Sequence, residues 1–306
     1  MNPQYESTLK SVAIITEHTP SLAHIGKNVI GRCFVYLHRN ARWEDKLKIS
    51  VAGKGGVGKT LLAGSIAFSF VRRGLSTIAI DADPSPNLAL TLGLSPDEAR
   101  KIVPLSENKS LIESKTSTGY SGVFRLSFSV DDVVRDFSVK TPFGVNLIVM
   151  GTVQSMGSGC TCPANALIRA LMRHLVVERD EVVILDMEAG CEHMGRGTAR
   201  QVDYMLIVTD ANSKSLEVAN HIYELATSAG MKQVFLVGNK IANEKQKTVI
   251  KKFAQENGSK ILDFIPFDEK VVEAEMQGET PLTHASSKAL VAIEKLCDKL
   301  VAKNNS

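Results

Sequence analysis

The chain of 306 residues is 44% hydrophobic, 23% charged and 6% aromatic, a balance found in globular proteins and not in disordered or collagen-like chains. Lys and Arg number 36 against 33 Asp and Glu, a formal net charge of +3 without long like-charge blocks, so neither nucleic acid nor a membrane surface is an expected partner. Five cysteines with no signal-peptide pattern point to a cytoplasmic protein whose thiols are packed, metal-binding or reactive rather than bridged.

Residues 1–46 carry six basic and four acidic side chains with weak periodicity. They read as a poorly ordered N-terminal extension with no assigned function. From Leu47 the texture changes. Leu47 to Ala52 reads as a strand, a Gly-rich loop follows, and Thr60 to Arg73 reads as a buried helix closed by Gly74. The longest apolar stretch, Leu61 to Val71, is too short to cross a bilayer.

Further strands are expected at Thr77 to Asp81, Val145 to Met150, Val182 to Asp186, Tyr204 to Thr209, Gln233 to Gly238 and Ile261 to Ile265. Helices are expected at Pro163 to Glu178, Ser215 to Ala229, Glu244 to Asn257 and Lys288 to Lys303. Strand then helix, repeated, predicts an α/β domain over 47–306 with a mostly parallel twisted sheet and helices on both faces. Ligands of such sheets bind at the carboxyl ends of the strands. The Ser-rich stretch 104–144 breaks the alternation and reads as an insertion.

Gly53, Lys54, Gly55, Gly56, Val57, Gly58, Lys59 and Thr60 match G-x-x-x-x-G-K-[ST] between a strand and a helix, the context that pattern requires. Its glycines let backbone N–H groups wrap phosphates at a helix N-terminus. Lys59 is then expected on the β- and γ-phosphates of ATP or ADP, and the Thr60 hydroxyl on Mg²⁺. Asp81 and Asp83 close the second strand, and four apolar residues deliver Asp186 to the same edge in the manner of a Walker B carboxylate. One carboxylate near the metal and one near the attacking water is the expected division of labour.

Val237-Gly238-Asn239-Lys240-Ile241-Ala242 follows a later strand and lacks the Asp of a guanine-reading N-K-x-D. Adenine is therefore favoured, with Asn239 and the backbone around Pro266 as its expected contacts.

The second loop lysine, Lys54, makes the motif the deviant Walker A pattern K-G-G-V-G-K-T, and the chain resembles the MinD, ParA and nitrogenase iron-protein class (SIMIBI) of dimeric ATPases. That resemblance implies a nucleotide-sandwich homodimer in which Lys54 reaches the partner's phosphates, Asp83 supports hydrolysis, and Asp81 and Asp186 serve the metal site. Lys54, Lys59 and Asp83 are thus the expected catalytic set.

Two segments narrow the likeness. Cys160-Thr161-Cys162-Pro163 and the string Asp186-Met187-Glu188-Ala189-Gly190-Cys191-Glu192-His193-Met194-Gly195-Arg196-Gly197-Thr198 look like the CooC-type accessory ATPases that mature nickel carbon monoxide dehydrogenase. The resemblance covers Leu47 to the C-terminus. It implies an ATP-dependent nickel metallochaperone with carbon monoxide dehydrogenase as client.

Two thiolates one residue apart cannot enclose a metal, since tetrahedral sites want four ligands. A twofold dimer supplies the other pair, so Cys160 and Cys162 of each copy are the expected ligands. Thiolates suit Zn²⁺ and also bind Ni²⁺, and the family resemblance favours nickel as cargo. The alternative is an Fe–S electron-transfer ATPase like the nitrogenase iron protein, with Cys162 and Cys191 as ligands. Glu188, Glu192 and His193 are candidates for coupling only. Cys297, on a helical face, is expected to be packed.

Overall fold

The computed structural model describes residues 47–83, 87–108, 138–151, 181–187 and 202–304, together with Ser110, Val134 and Arg173. All lie in one of the two units of the chain, Trp43–Ser306. The expected N-terminal extension, the helix at Pro163 to Glu178 apart from Arg173, and most of the insertion 104–144 fall outside the described residues.

The strands are β1 (Leu47–Gly53), β2 (Thr77–Asp81), β3 (Val139–Lys140), β4 (Asn146–Val149), β5 (Val182–Asp186), β6 (Tyr204–Thr209), β7 (Val234–Ile241) and β8 (Ile261–Pro266). They form one sheet in the order β3-β4-β2-β5-β1-β6-β7-β8. Every neighbouring pair is parallel except β3 with β4. Strands covered on both faces read as continuous apolar runs rather than alternating ones, which is why β2, β5 and β6 are buried along their whole length.

The helices that lie wholly within the described residues are α1 (Lys59–Arg72), α2 (Leu88–Thr91), α3 (Pro96–Lys101), α4 (Ser213–Ser228), α5 (Glu244–Glu256), α6 (Glu269–Met276) and α7 (Lys288–Asn304). One core packs Ile49, Val51, Ile184, Leu206 and Val208 against Leu62, Ile66 and Phe70 of α1 and Ile293, Leu296 and Leu300 of α7. The opposite core packs Ile78, Ile80, Val183, Leu185, Met205 and Ile207 against Ala219, Ile222 and Ala226 of α4. Alternate strand residues thus feed opposite layers, as the two-residue period of a strand requires.

α1 carries small residues because it is crowded from both sides. A Cβ at Gly64 would come within 2.7 Å of Thr91 on α2. Gly74, at φ 83°, ends the helix: its N–H donates to the Val71 carbonyl and that of Leu75 to the Phe70 carbonyl, a Schellman closure. Cys297 is buried on α7, with burial pushing its thiol up to about 12, in accord with a packed cysteine.

Three short helices, α2, α3 and α6, add to the sequence expectation. α3 is nucleated by a capping box in which Ser95 and Glu98 satisfy each other's backbone N–H. α6 starts at Asp268, whose carboxylate accepts from the Lys270 N–H. Expected and observed boundaries elsewhere agree to within two residues, and coincide for β2, β5 and β6, save that β7 continues three residues past Gly238, to Ile241. Asn239 and Lys240 therefore stand on the end of a strand rather than in the loop after it. Among the described residues no helix is long and apolar enough to cross a membrane.

Candidate functional site

β1 is central, between β5 and β6, so its carboxyl end opens where neighbouring strands also end. Gly53 terminates it at φ 150°, and a Cβ there would sit 2.3 Å from the Val208 backbone oxygen; only glycine passes this close to β6. Gly56 and Gly58 follow at φ 82° and 94°. Gly58 is the N-cap of α1 and offers no side-chain cap. The first-turn N–H groups of α1 are thereby left to a ligand, and they sit at the positive end of the helix dipole.

Lys59 opens the helix and is buried. Its Nζ lies 3.4 Å from the Lys54 carbonyl oxygen and 3.9 Å from Asp83 Oδ2. The ammonium is thus folded across the loop, within reach of anything the loop holds. Lys54 is half-buried and Gly55 and Gly56 are exposed, so the rim of the loop faces solvent.

Asp81 and Asp186 end adjacent parallel strands at the same register position, and both are fully buried. Asp81 is held by backbone donors, with Oδ2 accepting from the Leu88 N–H at 2.9 Å and Oδ1 from the Asp83 N–H at 3.3 Å. Burial still pushes its carboxyl up to about 6. Neither oxygen of Asp186 has a hydrogen-bond donor. Burial pushes this group up to about 7; the nearby Thr60 hydroxyl and the Lys59 ammonium oppose the shift, and the Asp81 and Asp83 charges add to it. A buried carboxylate with two orphaned oxygens beside a hydroxyl is a hard-oxygen donor set that fits Mg²⁺. Asp83, two residues beyond Asp81, is the carboxylate that reaches Lys59.

The far rim of the loop is built by β7. Asn239 is buried and its Nδ2 donates to the Val57 carbonyl at 2.8 Å. The neighbouring Lys240 Nζ donates to the Gly56 carbonyl, also at 2.8 Å. A Cβ on Gly58 would come 2.3 Å from Asn239 Nδ2, so that glycine makes room for the contact. The Asn239 amide therefore supports the phosphate loop, a role the sequence reading of an adenine contact did not foresee. Pro266 stands opposite Ile241 at the end of β8, and the Phe267 N–H donates to the Ile241 carbonyl. Sequence reasoning passed over Lys240; its position directly after Asn239 was the available signal.

Beyond β8, Asp268 ties down two helices. Its carboxylate accepts from the Lys270 N–H of α6, the Ala289 N–H of α7 and the Ser287 hydroxyl. Burial raises its pKa, and these hydrogen bonds more than offset that, so it lies below its ordinary value.

The structure thus brings together Gly53 to Thr60, Asp81, Asp83, Asp186 and Asn239, with Pro266 on the same sheet edge. Cys160, Cys162 and Cys191, together with Glu188, Glu192 and His193, lie outside the described residues.

Residues 49–282 match the sequence profile of the CobQ/CobB/MinD/ParA nucleotide binding domain. Over 263 residues the chain is 40% identical to an uncharacterised ATP-binding protein of Methanocaldococcus jannaschii, covering 85% of this chain and all of that one. Over 236 residues it is 39% identical to the carbon monoxide dehydrogenase accessory protein CooC of Rhodospirillum rubrum, covering 76% of this chain and 88% of CooC. Its fold is similar to that of the MinC:MinD cell division complex of Aquifex aeolicus, with a TM-score of 0.62 at 20% identity over 84% of this chain and 96% of that one.

Proposed function

Since the chain belongs to the CobQ/CobB/MinD/ParA family of nucleotide-binding P-loop ATPases, we propose that it hydrolyses ATP to drive metal delivery as a CooC-like accessory protein. The observation that carries the ATPase half is Asp186, buried with both oxygens lacking a donor, one strand from Asp81 and beside the start of α1. A buried carboxylate this poorly supplied with donors is costly unless a metal cation answers it. The identity with CooC supports the choice of client.

In this reading the loop from Gly53 to Thr60 wraps the phosphates of ATP, and Lys59 moves its ammonium from Asp83 onto the β- and γ-phosphate oxygens. Thr60 and Asp186 hold Mg²⁺, with Asp81 behind them. Bound Mg²⁺ neutralises part of the charge on the phosphates. Asp83, released from Lys59, orients a water for in-line attack on the γ-phosphorus; the new P–O bond forms as the bond to the β-phosphate oxygen breaks, leaving ADP and phosphate. Lys54 serves the phosphates of a second copy across a twofold dimer. Asn239 and the backbone at Pro266 border the adenine.

Nickel, or zinc in its place, is cargo in this scheme, held by Cys160 and Cys162 from each of two copies. Nucleotide state acts through the loops that follow Asp83 and Asp186. Hydrolysis changes metal affinity only in so far as the metal binds the ATP and ADP forms unequally. The setting is the cytoplasm, with residues 1–46 as an extension outside the ATPase domain 47–306.

The test is metal content per dimer after equilibration with Ni²⁺ or Zn²⁺, with ATP, ADP or neither, on the native protein and on Cys160→Ala/Cys162→Ala. One thiol-dependent metal per dimer, with affinity that follows the nucleotide, supports delivery. Iron with acid-labile sulfide in anaerobically purified protein supports an electron-transfer ATPase instead. A protein that takes no thiol-dependent metal in any state overturns the metal half and leaves the ATPase half to its own assay.

A further inference from the structure

The conformation of Lys240 is unusual. Among the described residues it is the one non-glycine with positive φ, at 57°, a left-handed backbone that side chains adopt at a cost. Strain of this kind persists where the surroundings over-determine it, and it clusters at functional sites. Here the left-handed residue lies near the end of β7, and its exposed side chain reaches back to the phosphate loop.

What it reaches is also specific. Lys240 and Asn239, consecutive in sequence, hold consecutive carbonyls of the loop, those of Gly56 and Val57, each at 2.8 Å. In a trans peptide the C=O of one residue and the N–H of the next point in opposite directions. Holding the Gly56 carbonyl outward therefore fixes the Val57 N–H on the other side, and holding the Val57 carbonyl does the same for the Gly58 N–H. The Val57 N–H has only a long contact, 3.5 Å, with the Lys54 carbonyl. The loop itself contributes little to this alignment, since Gly55 and Gly56 are exposed and a Cβ on either would touch nothing within 4 Å.

We propose that Lys240 is a positioning residue for nucleotide binding: with Asn239 it clamps the outward carbonyls of the phosphate loop, so that its N–H groups are aligned before a nucleoside di- or triphosphate arrives. The proposal rests on the nucleotide-binding reading above. Asn239 acts from the buried side and is inseparable from packing. Lys240 acts from the exposed side and can be removed without opening the core.

The left-handed backbone supplies a test that separates the clamp from stability. Lys240→Gly removes the clamp and relieves the strained backbone, whereas Lys240→Ala removes the clamp and keeps the strain. Lys240→Arg keeps a cationic donor. The full chain and these three variants are compared by thermal unfolding without ligand and by calorimetric titration with Mg²⁺–ADP. Lys240→Gly is expected to melt at or above the parent temperature yet bind Mg²⁺–ADP about 5- to 10-fold more weakly, the net scale of one ordinary hydrogen bond. Lys240→Ala is expected to weaken binding similarly and melt lower, and Lys240→Arg to recover most of the affinity. Amide exchange across residues 54–58 in the ligand-free protein is expected to quicken in Lys240→Gly.

Parent-like affinity in Lys240→Gly overturns the clamp while leaving the nucleotide reading intact. Weaker binding that merely tracks a lower melting temperature across the variants overturns it too, by making Lys240 structural. A parent protein that binds no Mg²⁺–ADP overturns the nucleotide reading itself, and the clamp with it.

Discussion

Replacing Asp186 by Asn is expected to stabilise the ligand-free protein at neutral pH and to make it insensitive to Mg²⁺–ATP. The carboxyl is displaced from 3.8 to about 7, chiefly by burial. At about 1.4 kcal/mol per unit this is a penalty of about 4 kcal/mol when the group is ionised. The Asn amide leaves polar atoms of its own unpaired in the same place, at about 1–3 kcal/mol, so the net gain is about 1–3 kcal/mol. For a domain of this size that corresponds to about 3–10 °C in melting temperature.

The sign follows from proton binding. Because the folded state binds this proton more tightly than the unfolded state, the parent protein loses stability as pH rises from about 4 to about 7, and the full penalty stands above that. The gap between Asp186→Asn and the parent should therefore be small near pH 4.5 and widest near pH 8. Thermal melts across this range in EDTA measure it. In excess Mg²⁺–ATP the order should reverse, since ligand at about 100 times its Kd stabilises the parent by about 2.7 kcal/mol and the variant by far less. A gap that does not widen with pH, or a variant less stable than the parent at pH 8, refutes the claim that burial makes the ionised Asp186 costly.

Asp83→Asn should lower the single-turnover hydrolysis rate about 10²- to 10³-fold while ATP binding stays within about threefold; an equal loss in both would make Asp83 a ground-state contact. Gly53→Ala should destabilise by about 3 kcal/mol or more, because its Cβ would meet the Val208 backbone oxygen at 2.3 Å, whereas Gly55→Ala, with nothing within 4 Å, should stay within about 0.5 kcal/mol of the parent in urea unfolding. Asp268→Ala should cost about 2–4 kcal/mol at pH 7 by uncapping α6 and α7 together. Its pKa is lowered in the fold, so this contribution is lost as pH falls through the folded value, and the difference between variant and parent should close in acid.

The strands of the parallel sheet, the phosphate loop and the carboxylates that border it are all legible along the chain. Each of these is a local pattern: an apolar run ended by Gly or Asp, or glycines at fixed offsets before Lys59 and Thr60. Their register, with Asp81 directly beside Asp186, follows from the parallel order of the sheet. Short elements were harder to read. α6 has eight residues and one buried side chain, Ala274, too little apolar periodicity to stand out, and its start depends on Asp268, which is also committed to α7.

How the site is charged and held depends on contacts between segments far apart in the chain. Asp81 and Asp186 look alike in sequence, yet backbone donors answer the first and leave the second bare. That difference comes from the Leu88 N–H at the start of α2, which is aimed at Asp81. Likewise Asn239 and Lys240 lie more than 180 residues from the loop they hold, and no pattern within β7 shows where their donors end. The reason is physical: spacing along the chain specifies which groups reach the carboxyl edge of the sheet, while the packing of distant segments there decides which are desolvated and which find partners.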